Sequence, residues 1–120
     1  MIVLVAGRAA KRNEALLREL WAAMKPERLV FFEKRGAAAQ AAKEAARHGT
    51  PVSGFWLDRT AHGPNATAVA LSQMLRVARP ALAIVFRRDL TPQLSMLCEA
   101  GVPCVEAWTW KPLAVSGTCP

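Results

Sequence analysis

The chain alternates short runs that are apolar at almost every position with longer runs that are apolar along one side only. "IVLVA" (2–6), "RLVFF" (28–32), "PVSGFWL" (51–57), "ALAIVF" (81–86) and "VPCVEAW" (102–108) are short and rich in β-branched and aromatic residues, so each predicts a strand. Between them the spacing changes to the three-to-four-residue period of a helix. From Asn13, read as an N-cap, Leu16, Leu17, Leu20, Trp21 and Met24 fall on one stripe, which Lys25 and Pro26 end. "AAAQAAKEAARHG" predicts an alanine-rich helix with Gly49 as its C-terminal cap. "NATAVALSQMLRVA" carries Val69, Leu71, Met74, Leu75 and Ala78 before Arg79 and Pro80 stop it. A last helix over 91–100 takes Thr91 as its cap and Pro92 as its first helical residue, and ends at Gly101.

Strands that are apolar throughout, each followed by a helix, predict an α/β fold: a Rossmann-like, doubly wound parallel sheet of about five strands with helices on both faces. The strand order stays open at this point. In every common order the loops that follow the strands share one rim, and ligands bind there where the winding reverses. A length of 120 residues predicts one domain, 1–120, with 109–120 as an edge or tail. "MIVLVAG" reads as the first strand, without the basic segment and cleavage site of a secretory leader. No apolar stretch approaches the roughly 18 to 20 residues of a membrane span. A cytoplasmic protein with no membrane partner is expected.

A net charge of +7 and a pI near 10.2 favour acidic partners: nucleotides, nucleic acid or an acidic protein face. The position of the cations adds more. Each of the first four strands runs into a basic loop: Gly7-Arg8, Lys34-Arg35-Gly36, Asp58-Arg59 and Arg87-Arg88. Parallel strands would gather these loops on one rim. The candidate ligand-binding set is therefore Gly7, Arg8, Lys34, Arg35, Gly36, Arg87, Arg88 and Thr91. Arg87 and Arg88 beside the amides around Gln93 and Leu94 outline an anion site, two guanidinium groups next to the N-terminal end of a helix. Gly7 and Gly36 predict a close approach of backbone to ligand. A solvated edge carrying arginines for solubility is the competing reading.

Neither G-x-G-x-x-G nor G-x-x-x-x-G-K-[ST] occurs, so no cofactor is implied. Cys98, Cys104 and Cys119 are odd in number and lack paired short spacing, which predicts free thiols in a reducing compartment. His48 and His62 have no companion at ligand spacing, so no metal site is expected.

The chain resembles the small YspA-like branch of the SLOG superfamily of Rossmann-like nucleotide-binding domains over residues 2 to 108. The resemblance is carried by "VLVAGR", "KRGAAAQAAKEAARHGTPV", "HGPN…QML" and "AGVPCVEAW". It departs from that group where chemistry would lie. The group's Gly-Gly first turn, Asp at the second helix start, Arg-Asn pair in the third helix and Gly-Gly-x-Gly-Thr phosphate loop read here Gly7-Arg8, Ala38, Ala70-Leu71 and "RRDLT". Arginines thus stand where the group has a glycine-rich phosphate cradle.

Three functions are weighed. The leading one is a binding or sensing module for a nucleotide-like phosphorylated ligand at the rim. The second, which the resemblance implies, is a hydrolase of a nucleotide N-glycosidic bond, for which Glu33, Asp58 and Asp89 are the acids near the rim. No catalytic residue is assigned, since each acid adjoins a basic partner. The third is a protein-interaction or nucleic-acid module in which Trp108 and Trp110 stack on bases or anchor an interface; alternation puts them on the same side of an extended segment, and the competing reading, favoured over base stacking, is that both cover an apolar helix or a subunit partner. Trp21 is expected in a helix core stripe and Trp56 in a buried strand. Self-association into a homo-oligomer is expected, as in the group the chain resembles.

Overall fold

The computed structural model describes residues 1–32, 35–55, 63, 66–86 and 91–110. Strands β1 (Ile2–Gly7), β2 (Arg28–Phe31), β3 (Val52–Gly54), β4 (Leu82–Phe86) and β5 (Cys104–Glu106) form an all-parallel sheet in the order β3-β2-β1-β4-β5. Helices α1 (Asn13–Met24), α2 (Ala37–His48), α3 (Ala66–Val77) and α4 (Thr91–Glu99) connect them. The chain steps outward from β1 to β2 and β3, then crosses back to lay β4 on the other side of β1. The winding therefore reverses between β1 and β4. This is the expected doubly wound α/β architecture, now with its strand order.

Side-chain alternation explains why the strands are apolar throughout. Val3, Val5, Leu29, Phe31, Ile84 and Phe86 face a core with Leu17 and Trp21 of α1 and the alanines of α2. Their neighbours Leu4, Ala6, Val30, Ala83 and Val85 face a second core with Ala70, Leu71 and Met74 of α3 and Leu97 of α4. Ala37, Ala38, Ala41 and Ala45 are all fully buried, and their small side chains let α2 lie close against the sheet and α1. Trp21 fills the remaining space, and its Nε1–H donates to Thr50 Oγ1 at 3.0 Å.

Several expectations need correction. Asn13 is not a cap: it lies inside α1, and Arg12 takes the cap position without a side-chain capping bond. β3 is shorter than 51–57, and Val52 stays 40% exposed because the strand is at the sheet edge. Val69 points outward on α3, and Ala70 takes the buried place beside Leu71. β5 ends at Glu106 and the chain turns at once, with the Trp110 N–H donating to the Glu106 carbonyl at 2.8 Å. Trp108 and Trp110 therefore do not share an extended segment. Cys98 is disulfide-bonded, whereas Cys104 is a free, buried thiol. The expectation of free thiols fails at Cys98, and with it the cysteine argument for a reducing compartment. Trp56 lies outside the described residues. Among those described, no helix is long and apolar enough to cross a membrane.

Candidate functional site

The reversal of winding puts the loop after β1, residues 8–12, at the rim beside the end of β4. The Arg8 N–H donates to the Phe86 carbonyl at 2.6 Å, which ties that loop to the last residue of β4. Gly7 has φ +120°, and a Cβ on it would run into the Phe86 backbone. Gly36, in the N-cap position of α2, has φ 72° and ψ −141°, and a Cβ there would strike the Gly7 carbonyl oxygen. The ends of β1 and β4 and the start of α2 thus meet backbone to backbone. The close approach expected of the two glycines is made between parts of the chain itself.

A pair of amides then fixes the loop. Asn13 is 1% exposed, and its Nδ2 donates to the Arg8 carbonyl at 2.9 Å and to Gln40 Oε1 at 3.0 Å. Gln40 Nε2 in turn donates to the Ala10 carbonyl at 2.8 Å, and its Oε1 accepts from the Ala10 N–H at 3.4 Å. The Asn13 and Glu14 N–H groups donate to the carbonyls of Ala10 and Lys11. Four loop and first-turn N–H groups, those of Arg8, Ala10, Asn13 and Glu14, are thereby committed within the protein. A phosphate cradle needs such groups aimed outward. What this loop presents instead is the exposed side chains of Arg8, Lys11 and Arg12 on a fixed backbone.

Of the sequence-derived set, Gly7, Arg8, Arg35 and Gly36 come together through the glycine contact, with Arg8 and Arg35 both exposed at the rim. Thr91 is the first residue of α4, one place further into the helix than the cap position expected of it. The Thr91 side chain lies outside the described residues, as do Lys34, Arg87 and Arg88 and the acids Glu33, Asp58 and Asp89.

Other residues of the site stand outside that set. The Arg12 guanidinium lies over the Trp108 ring, 4.6 Å from its centroid. Trp108 also meets Phe86 edge to face, with centroids 6.4 Å apart and planes at 88°. Glu106 Oε2 accepts from the N–H of Trp108 at 3.0 Å, the N–H of Thr109 at 2.7 Å and Thr109 Oγ1 at 2.8 Å. The loops after β1 and β5 therefore close over the end of β4. The three cations of "GRAAKR" were a readable signal for Lys11 and Arg12, and Trp108 was singled out with Trp110 as an aromatic candidate, but nothing local pointed to Gln40 or to the meeting of Trp108 with Arg12.

Two other reactive groups belong elsewhere. Burial pushes the Cys104 thiol up from 9.0 to about 11, which keeps it protonated and unreactive near neutral pH. Glu44 is buried on α2, about 12 Å along the helix from Gly36, and is paired with Arg47 at 3.2 Å and His48 at 3.0 Å. Among the described residues no group of three or more His, Cys, Asp or Glu is placed to hold a metal ion. No family model, curated protein or solved structure matches the chain.

Proposed function

We propose that the chain is a binding or sensing module for a nucleotide-like phosphorylated ligand, held at the carboxyl rim by side chains in place of a glycine-rich backbone cradle. One observation carries the reading. At the point where the winding reverses, a loop clamped by Asn13 and Gln40 commits its Arg8 and Ala10 N–H groups within the protein and leaves the Arg8, Lys11 and Arg12 side chains exposed. A fixed backbone spares the loop's share of the ordering cost, and each charge-assisted bond to phosphate, worth about 1.5–3 kcal/mol, exceeds the roughly 0.5–1.5 kcal/mol needed to immobilise an exposed side chain. Membership of the YspA-like SLOG branch belongs to the same proposal, with the group's phosphate loop replaced by arginines. A hydrolytic role is the weaker reading, because no acid–base pair stands at the described part of the rim.

Calorimetric titration with AMP, ADP, ADP-ribose and short DNA, at low and high salt, tests the proposal. The expected result is saturable binding of at least one of the small phosphorylated compounds. Changing Arg8 and Arg35 together to alanine weakens it at least about tenfold and leaves the melting temperature nearly unchanged, since both side chains are exposed. Binding of DNA alone, with a steep salt slope and no small ligand, refutes it.

A further inference from the structure

We infer that Trp108 is the surface on which an aromatic base of the ligand stacks, so that the rim takes nucleotides and discriminates against sugar phosphates and inorganic phosphate. The inference rests on the reading of the rim as a phosphate site and adds the part of the ligand that carries no charge. Trp108 is 37% exposed although it already touches Arg12 and Phe86. Phe86, which meets the indole edge to face, is 1% exposed, so Trp108 covers the core there while the residue stays partly open to water.

That surface is held in place. Glu106 accepts from the N–H groups of Trp108 and Thr109 and from the Thr109 hydroxyl, which fixes the turn carrying the indole. A planar ring on a fixed backbone loses little freedom when a base stacks on it, unlike an indole at a loose loop tip. Its neighbour is matched to the same ligand. The Arg12 guanidinium is exposed, stacks on the indole, and keeps in-plane N–H groups for a phosphate. Arg12 and Arg8 belong to one clamped loop, so charge and aromatic surface adjoin at the rim within the span of a small ligand. A mononucleotide has this combination of anionic group and stacking ring; a sugar phosphate has only the first.

The test compares AMP with ribose 5-phosphate by calorimetry on the full chain, as wild type, Trp108→Leu and Trp108→Phe, with a thermal melt of each to confirm folding. The wild type is expected to bind AMP at least about tenfold tighter than ribose 5-phosphate. Trp108→Leu should bring the two within about threefold, with the larger loss on the AMP side. Trp108→Phe, which keeps a ring, should retain most of the preference. Equal binding of the two compounds by the wild type, or a preference that survives Trp108→Leu, overturns the inference and leaves the phosphate site standing. Binding of neither compound overturns the inference, and it overturns the phosphate site as well when ADP and ADP-ribose also fail to bind.

Discussion

Asn13→Asp is an almost isosteric change with a large expected consequence. The Asn13 Nδ2 donates to two acceptors, the Arg8 carbonyl and Gln40 Oε1, at a site 1% exposed. An aspartate puts an acceptor where that donor stood. Two hydrogen bonds worth about 1 kcal/mol each are lost, and two partly buried oxygens left facing a carboxylate that is itself buried cost about 1–2 kcal/mol more. Gln40 does not relieve this by flipping its amide, because its present orientation makes both bonds to Ala10. The sum is about 3–4 kcal/mol. For a 120-residue chain each kcal/mol moves the melting temperature by about 4 °C, so circular dichroism at pH 7 should show a drop of about 12–16 °C. At about pH 3.5 the introduced carboxyl is largely protonated and donates again, so the gap to the wild type should narrow. A melting temperature within about 4 °C of wild type at pH 7 would show that the amide pair does not hold the loop.

Gly36→Ala combines a backbone conformation open essentially to glycine with a collision against the Gly7 carbonyl, and should cost about 3 kcal/mol or more. Gly49→Ala, in the left-handed helical region with open space around it, should cost only about 1 kcal/mol; equal losses in denaturant titrations would contradict the backbone contact. The Cys104 thiol keeps its proton in the folded state up to about 11, whereas an unfolded thiol loses it near 9.0. Its contribution is therefore fully present below pH 9 and is lost as pH rises toward 11, so stability should fall less steeply over that window in Cys104→Ala than in the wild type. Identical slopes would refute the burial argument.

Element type and order were legible in the sequence because they depend on periods of two and 3.6 within one stretch of chain. The stripe from Leu16 to Met24 and the buried run of β1 illustrate this. That Arg8 after β1 and Arg35 after β2 would share one rim was legible in outline too, since it follows from parallel strands; the basic loops after β3 and β4 lie outside the described residues. The exposed β3 edge and the early end of β5 were not, because a strand's length depends on the neighbour it pairs with. Only the tertiary structure decided that β1 lies between β2 and β4, and the site follows from that choice. It brings the Gly7 carbonyl against Gly36, pairs Asn13 with Gln40 across 27 positions, and sets Arg12 over Trp108 from the far end of the chain. Buried donors must find acceptors wherever the fold supplies them, so an asparagine that looks locally like a helix cap becomes the clamp of a loop. Local periodicity thus set the elements, and the strand order chose which residues meet at the rim.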